Sequence, residues 1–229
     1  MGRWLMVLRL LIGKEFAVEL RGKEYVTLLF CTTIVVGALI GAGVSSAVLD
    51  AATTRKIYPM LVWVVFLITT TTSSARASEA ELDGRGFEGL LLAGVSGAQL
   101  YISKVVVTAL MFFITWVLLL AVTSVALDQT IRPVYGTLLA LGAGAALTLS
   151  ALVVLVSGVA GTSTLRGVLM PLLTLPLLFP LFFAGVEITT ECMLYGALTA
   201  GSIWPGVMTI LCAAFLLVGI NSYEAVVRG

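Results

Sequence analysis

The chain contains no histidine. That removes the commonest metal ligand and the usual general base at neutral pH. Charge is scarce too, at 11% of residues, where a soluble domain carries roughly a quarter. Net charge is +1, and no basic stripe points to nucleic acid. The three cysteines, Cys31, Cys192 and Cys212, are far apart and show no metal spacing. Cys31 and Cys212 lie in apolar blocks, where a thiol serves as a small hydrophobe, and Cys192 alone defines nothing. The sequence has no GxxxxGK[ST] phosphate loop, no HExxH, no CxxC and no GxSxG. A conventional ATPase, zinc protease, dithiol or serine hydrolase reading therefore has no residues to rest on. No metal site is expected and no catalytic residue is assigned.

What is present is apolar surface: 60% hydrophobic residues and a mean hydropathy of +1.13. It comes in six long blocks, roughly 26–49, 57–75, 104–127, 134–156, 168–186 and 203–220. None has an interior Asp, Glu, Lys or Arg. About 20 apolar residues make a spanning helix, and lipid leaves backbone polar groups no partner but the helix itself. The blocks lack the alternation of a β-barrel. The expected fold is an all-α integral membrane protein of six spans over 26–229, preceded by a segment over 1–25. Proton- or ion-coupled transporters carry ionisable groups inside the membrane, so transport driven by this chain alone is disfavoured.

An even number of spans puts both termini on one side. Ten basic residues (Arg3, Arg9, Lys14, Arg21, Lys23, Arg76, Arg85, Lys104, Arg166, Arg228) then share that side, against Arg55, Lys56 and Arg132 on the other. By the positive-inside rule the termini are cytoplasmic. Residues 1–25 are interrupted by charge, so no cleavable leader is expected. They read as an interfacial helix, with Trp4, Leu8, Leu11 and Ile12 among the lipid headgroups and the charged residues wet.

Within the spans, Gly37, Gly41 and Ser45 recur at four-residue spacing, which lets helices approach closely, inside one bundle or between two copies. The run TTTTSSA (69–75) either bonds back to helix carbonyls or lines a polar path. Pro171, Pro176 and Pro180 mark the fifth block. Each removes a helix hydrogen bond, so this span is expected to be bent or broken, as a hinge or as a static kink. The segment EITTECMLYG (187–196) reads as a solvated outer loop, with Glu187 and Glu191 flanking a turn.

The densest cluster of acidic charge is in SEAELDGRGFEGLLLAG. Four of the twelve acids (Glu79, Glu81, Asp83, Glu88) fall within ten residues there. On the assigned topology this segment, 76–103, faces the cytoplasm between spans two and three. Ser78 and Glu81 have capping-box spacing, and Gly84 and Gly86 break the path before the leucine run. The reading is a short amphipathic docking helix, polar toward the cytosol and apolar toward the bundle. A solvated loop is the alternative.

The pattern resembles the heme exporter protein B (CcmB) family. The likeness runs from EFAVELRGKEYVTLLF (15–30) through YPMLVW (58–63) to SEAELDGRGFEGLLLAG with YISKVV, and on to LRGVLMPLLTLPLLFP (165–180). It departs in having only Arg166 where paired basic residues are common, and in lacking an aromatic soon after Lys104, although Trp116 comes later. The resemblance implies an ABC-2-type permease subunit of the inner membrane. A separate ATP-binding subunit would hydrolyse ATP, and a second copy of the chain, a heme-handling membrane protein and a periplasmic heme chaperone would be partners. The complex would either export heme as its cargo or release a heme-loaded periplasmic chaperone, with ATP on the partner subunit and no cofactor assigned to this chain. The lack of histidine fits a subunit that transmits motion while a partner ligates iron. Glu79, Glu81, Asp83, Gly84, Glu88, Leu90, Leu91 and Lys104 would then couple the ATPase to the third span. An ABC-2 permease for a lipid, drug or peptide, and a non-transporting membrane scaffold, are the competing readings.

Overall fold

The structure is a computed structural model and describes residues 2–21, 23–47, 50–81, 94–129, 131, 134–161, 166–199 and 201–228. Among these residues there are seven helices and no strand: α1 (Gly2–Arg21), α2 (Lys23–Ser46), α3 (Ala51–Glu81), α4 (Gly97–Ala126), α5 (Tyr135–Gly161), α6 (Arg166–Tyr195) and α7 (Trp204–Arg228). Helices α2 to α7 each contain an apolar stretch of 21 to 30 residues. At about 1.5 Å per residue these stretches match a hydrocarbon core roughly 30 Å thick.

The spans alternate in direction. One end of the bundle, the near end, holds the start of α4 and the end of α7, joined where the Gly97 N–H donates to Glu224. The far end holds the ends of α2 and α4, joined by Ser45 and the Ala126 carbonyl, and the start of α3 against the end of α6, joined by Arg55 and the Met193 carbonyl. The centre is α5, with 67% of its spanning stretch buried, against 22% for α2 and 17% for α7. Its sequence explains this, because GAGAALTLSALVVLV offers small and branched side chains on every side and no charge.

Aromatic residues fill the spaces that glycines leave. Trp63 and Phe66 of α3 meet Trp116 of α4, with ring centroids 5.0 Å (Trp63–Trp116) and 5.1 Å (Phe66–Trp116) apart. Trp116 lies over Gly142 of α5 and Trp63 over Gly185 of α6. Each indole N–H is satisfied, Trp116 by the Leu138 carbonyl at 2.9 Å and Trp63 by the Thr189 hydroxyl at 2.9 Å. In lipid, where a lone donor is costly, these bonds fix the aromatic cluster. Gly37 and Gly41 seat α2 against Val122 and Ala126 of α4, so their spacing serves packing inside this bundle. In the threonine run, the hydroxyls of Thr70, Thr71 and Thr72 bond back to the carbonyls of Phe66, Leu67 and Ile68. Thr69 is buried without a partner.

Three expectations are corrected and one is narrowed. First, the narrowed one: α6 is one continuous helix through Pro171, Pro176 and Pro180, so of the bent or broken span expected there only the break is excluded. Pro176 and Pro180 are exposed, and their rings face outward where they displace no packed neighbour. Second, that helix continues to Tyr195, so 187–195 is not a loop. Ile188, Thr189, Cys192 and Met193 are buried, which gives the segment an inward face that its two glutamates obscure. Third, α3 continues through Ser78 to Glu81. Ser78 is therefore inside a helix and not at the start of one. Fourth, α4 begins at Gly97, two turns before Lys104, because a capping box of Ser96 and Gln99 starts it there.

Candidate functional site

The near end carries the chemistry. Ser96 accepts from the Gln99 N–H at 3.3 Å, and Gln99 Oε1 accepts from the Ser96 N–H at 3.1 Å. This reciprocal pair satisfies two of the donors that a helix start leaves unpaired. Glu224 of α7 adds a third acceptor at the Gly97 N–H, 3.3 Å away, where a carboxylate also complements the positive end of the helix. A Cβ at Gly97 would lie 2.8 Å from the Glu224 Cα, so only glycine admits α7 this closely. Gln99 Nε2 then donates to the Trp4 carbonyl of α1 at 3.1 Å.

One turn further along, Lys104 meets Glu15 of α1, Nζ to Oε2 3.5 Å. Glu15 is 6% exposed, and it also accepts from Lys14 at 3.1 Å. This corrects the expectation that the charged residues of the first segment stay wet: Glu15 turns inward because Lys104 is there to receive it. At 3.5 Å the Lys104 contact is an ion pair rather than a short charge-assisted hydrogen bond. Glu15 thus lies between two cations, Lys14 and Lys104, which offset the cost of burying its charge.

Around these bonds lies a small apolar core distinct from the central one: Leu11 of α1, Leu100, Tyr101 and Val105 of α4, Ala151 and Val154 of α5, and Tyr223 of α7. The Tyr101 hydroxyl reaches the carbonyls of Ala151 at 2.9 Å and Phe215 at 3.1 Å. Its ring lies on Gly219, with room for no Cβ. Three helices, α1, α5 and α7, thus converge on the first three turns of α4.

Of the residues singled out in the sequence, Lys104 falls in this junction. Glu79 and Glu81 are in the last turns of α3. Asp83, Gly84, Glu88, Leu90 and Leu91 lie outside the described residues. The structured chain resumes at Gly94, which has a positive φ of 81° that glycine adopts without strain, and leads into the Ser96 cap. Sequence reading passed over Glu15, Ser96, Gln99, Tyr101 and Glu224. Only the Ser96–Gln99 pair carried a signal, its S-x-x-Q spacing.

At the far end, a pocket of about 430 Å³ is lined by residues including Glu187, Glu191, Tyr195 and Ser202. Glu191 accepts from the Thr199 N–H at 3.2 Å. Among the described residues, no group of three or more His, Cys, Asp or Glu side chains is placed to hold a metal.

Six apolar helices with a polar junction at one end define a multi-pass membrane protein. The chain matches the family model described as CcmB protein over residues 6–226. It belongs to the CcmB, or heme exporter protein B, family, the permease subunits that serve cytochrome c maturation. No curated protein and no solved structure matches it.

Proposed function

We propose that this chain is the inner-membrane permease subunit of an ABC-type complex, with its near end in the cytoplasm, where a separate ATP-binding subunit docks on the acidic segment between α3 and α4. The single observation that carries the reading is the family match from residue 6 to residue 226. Heme is the cargo of the complex, and a second copy of the chain, a heme-handling membrane protein and a periplasmic heme chaperone are its partners.

The near-end junction supports a coupling role. The acidic segment follows α3, which ends at Glu81, and precedes the capped start of α4. A push on that segment arrives at α4, whose first turns are bonded to α1 and α7. Below them, α4 carries Trp116 into the central aromatic cluster. ATP-driven displacement at the near end is passed along α4 to the far side, where heme-loaded chaperone is released. Asp83 and Glu88 supply the charge, and Leu90 and Leu91 the apolar character, of this docking segment.

The test is the double substitution Asp83→Ala with Glu88→Ala. Co-purification of the ATP-binding subunit and its stimulated ATP hydrolysis should fall while the protein still reaches the membrane. Unchanged co-purification and activity would remove the docking assignment.

A further inference from the structure

We infer that α1 is a second arm of the coupling device, locked to the third span by the Glu15–Lys104 ion pair, with Glu15 a positioning residue that acts through Lys104. The inference rests on the ABC-type reading above and adds to it a helix and a residue outside the docking segment.

Three observations carry it. Helix α1 packs chiefly on α4 and only lightly on α2, although α2 starts two residues after α1 ends. Its position is therefore set by tertiary contact and not by its chain neighbour. A helix merely floating at the interface keeps its carboxylates in water, yet Glu15 is buried and spans 89 positions of sequence to reach Lys104. Finally, α1 is attached at separate places: the Trp4 carbonyl to Gln99, Leu11 in the small core and Glu15 to Lys104. With Tyr101 bonded to both α5 and α7, the near end is a unit with its own core, separate from the central one. A displacement delivered to the start of α4 carries α1 with it. The amphipathic helix sweeps along the membrane surface as the third span moves.

The experiment uses the whole complex with its ATP-binding subunit. Glu15→Lys and Lys104→Glu are each expected to lower matured c-type cytochrome per ATP hydrolysed by about tenfold, within the usual range of coupling between sites. Membrane level and co-purification should persist. Glu15→Lys combined with Lys104→Glu should restore most of the loss, which a purely steric role for Glu15 would not. Single variants that behave as wild type, or a double variant no better than either single, would overturn the inference.

Should a charge reversal reduce the amount of protein in the membrane, spin-label distances decide instead. Labels at the exposed positions Met6 and Val106, with the native cysteines replaced, are compared without nucleotide and with trapped ATP. The inference predicts an unchanged Met6–Val106 distance and a changed distance from Met6 to the exposed far-end Tyr195. A shifted Met6–Val106 distance, or no change in either, overturns it. If the wild-type complex supports no cytochrome maturation at all, it is the ABC-type heme reading that fails.

Discussion

Adding a single methyl group at Gly142 tests the packing at the centre of the bundle. A Cβ there would lie 2.0 Å from Trp116 Cδ1 and 2.2 Å from its Nε1, far inside contact distance, and both groups belong to packed helices. In Gly142→Ala the indole must therefore leave its place. It gives up the Leu138 carbonyl, now 2.9 Å away, and its contacts with Trp63 and Phe66. Overpacking costs about 1–3 kcal/mol, and a buried donor left without a partner about 1–3 kcal/mol more. The expected loss is roughly 2–6 kcal/mol, read as a lowered unfolding midpoint in detergent by far-UV circular dichroism. The clash requires a particular partner, so the penalty should shrink when Trp116 is first replaced by leucine. Residues in contact couple by about 0.5–3 kcal/mol in such a cycle. A neutral Gly142→Ala, or strict additivity with Trp116→Leu, would refute the reasoning.

Gly41→Leu should pry α2 from α4, since a Cβ at Gly41 falls 2.4 Å from that of Ala126. The same change at Gly43, where nothing lies within 4 Å, should have little effect, and comparing the two midpoints checks this. Asp50 caps α3 through the Thr53 N–H, and the Thr53 hydroxyl, then its N–H, holds the carboxyl below its ordinary pKa of 3.8. A lowered folded-state pKa contributes stability that is present above the unfolded value and lost as pH falls through the folded one. Asp50→Ala should therefore lower the midpoint at neutral pH, with the gap to wild type closing in strong acid. A gap that stays constant with pH would show that the charge contributes nothing there.

The number of spans could be read from the sequence because lipid imposes one rule on every stretch: about 20 apolar residues with the backbone bonded to itself. Boundaries were less legible where polar residues continue a helix. Glu187 and Glu191 are one turn apart on the outward side of α6 while Ile188 and Cys192 pack inward, and composition alone made that turn look like a loop. The S-x-x-E of Ser78 and Glu81 misled in the opposite sense, because a capping box has meaning only where a helix begins, and Ser78 lies inside α3. The true box, Ser96 with Gln99, was hidden because hydropathy places the start of the third span at Lys104. The burial of Glu15 could not be read locally at all. A glutamate in a charged segment looks solvated until the fold brings a lysine 89 positions away within 3.5 Å.

The central claim is that this permease serves cytochrome c maturation by releasing heme-loaded chaperone. It is tested most directly by a heme-stained gel of membranes from cells with and without the gene. The account predicts loss of covalently bound c-type heme, with heme-loaded chaperone accumulating. Unchanged cytochromes in the deleted strain would contradict it and point to another cargo.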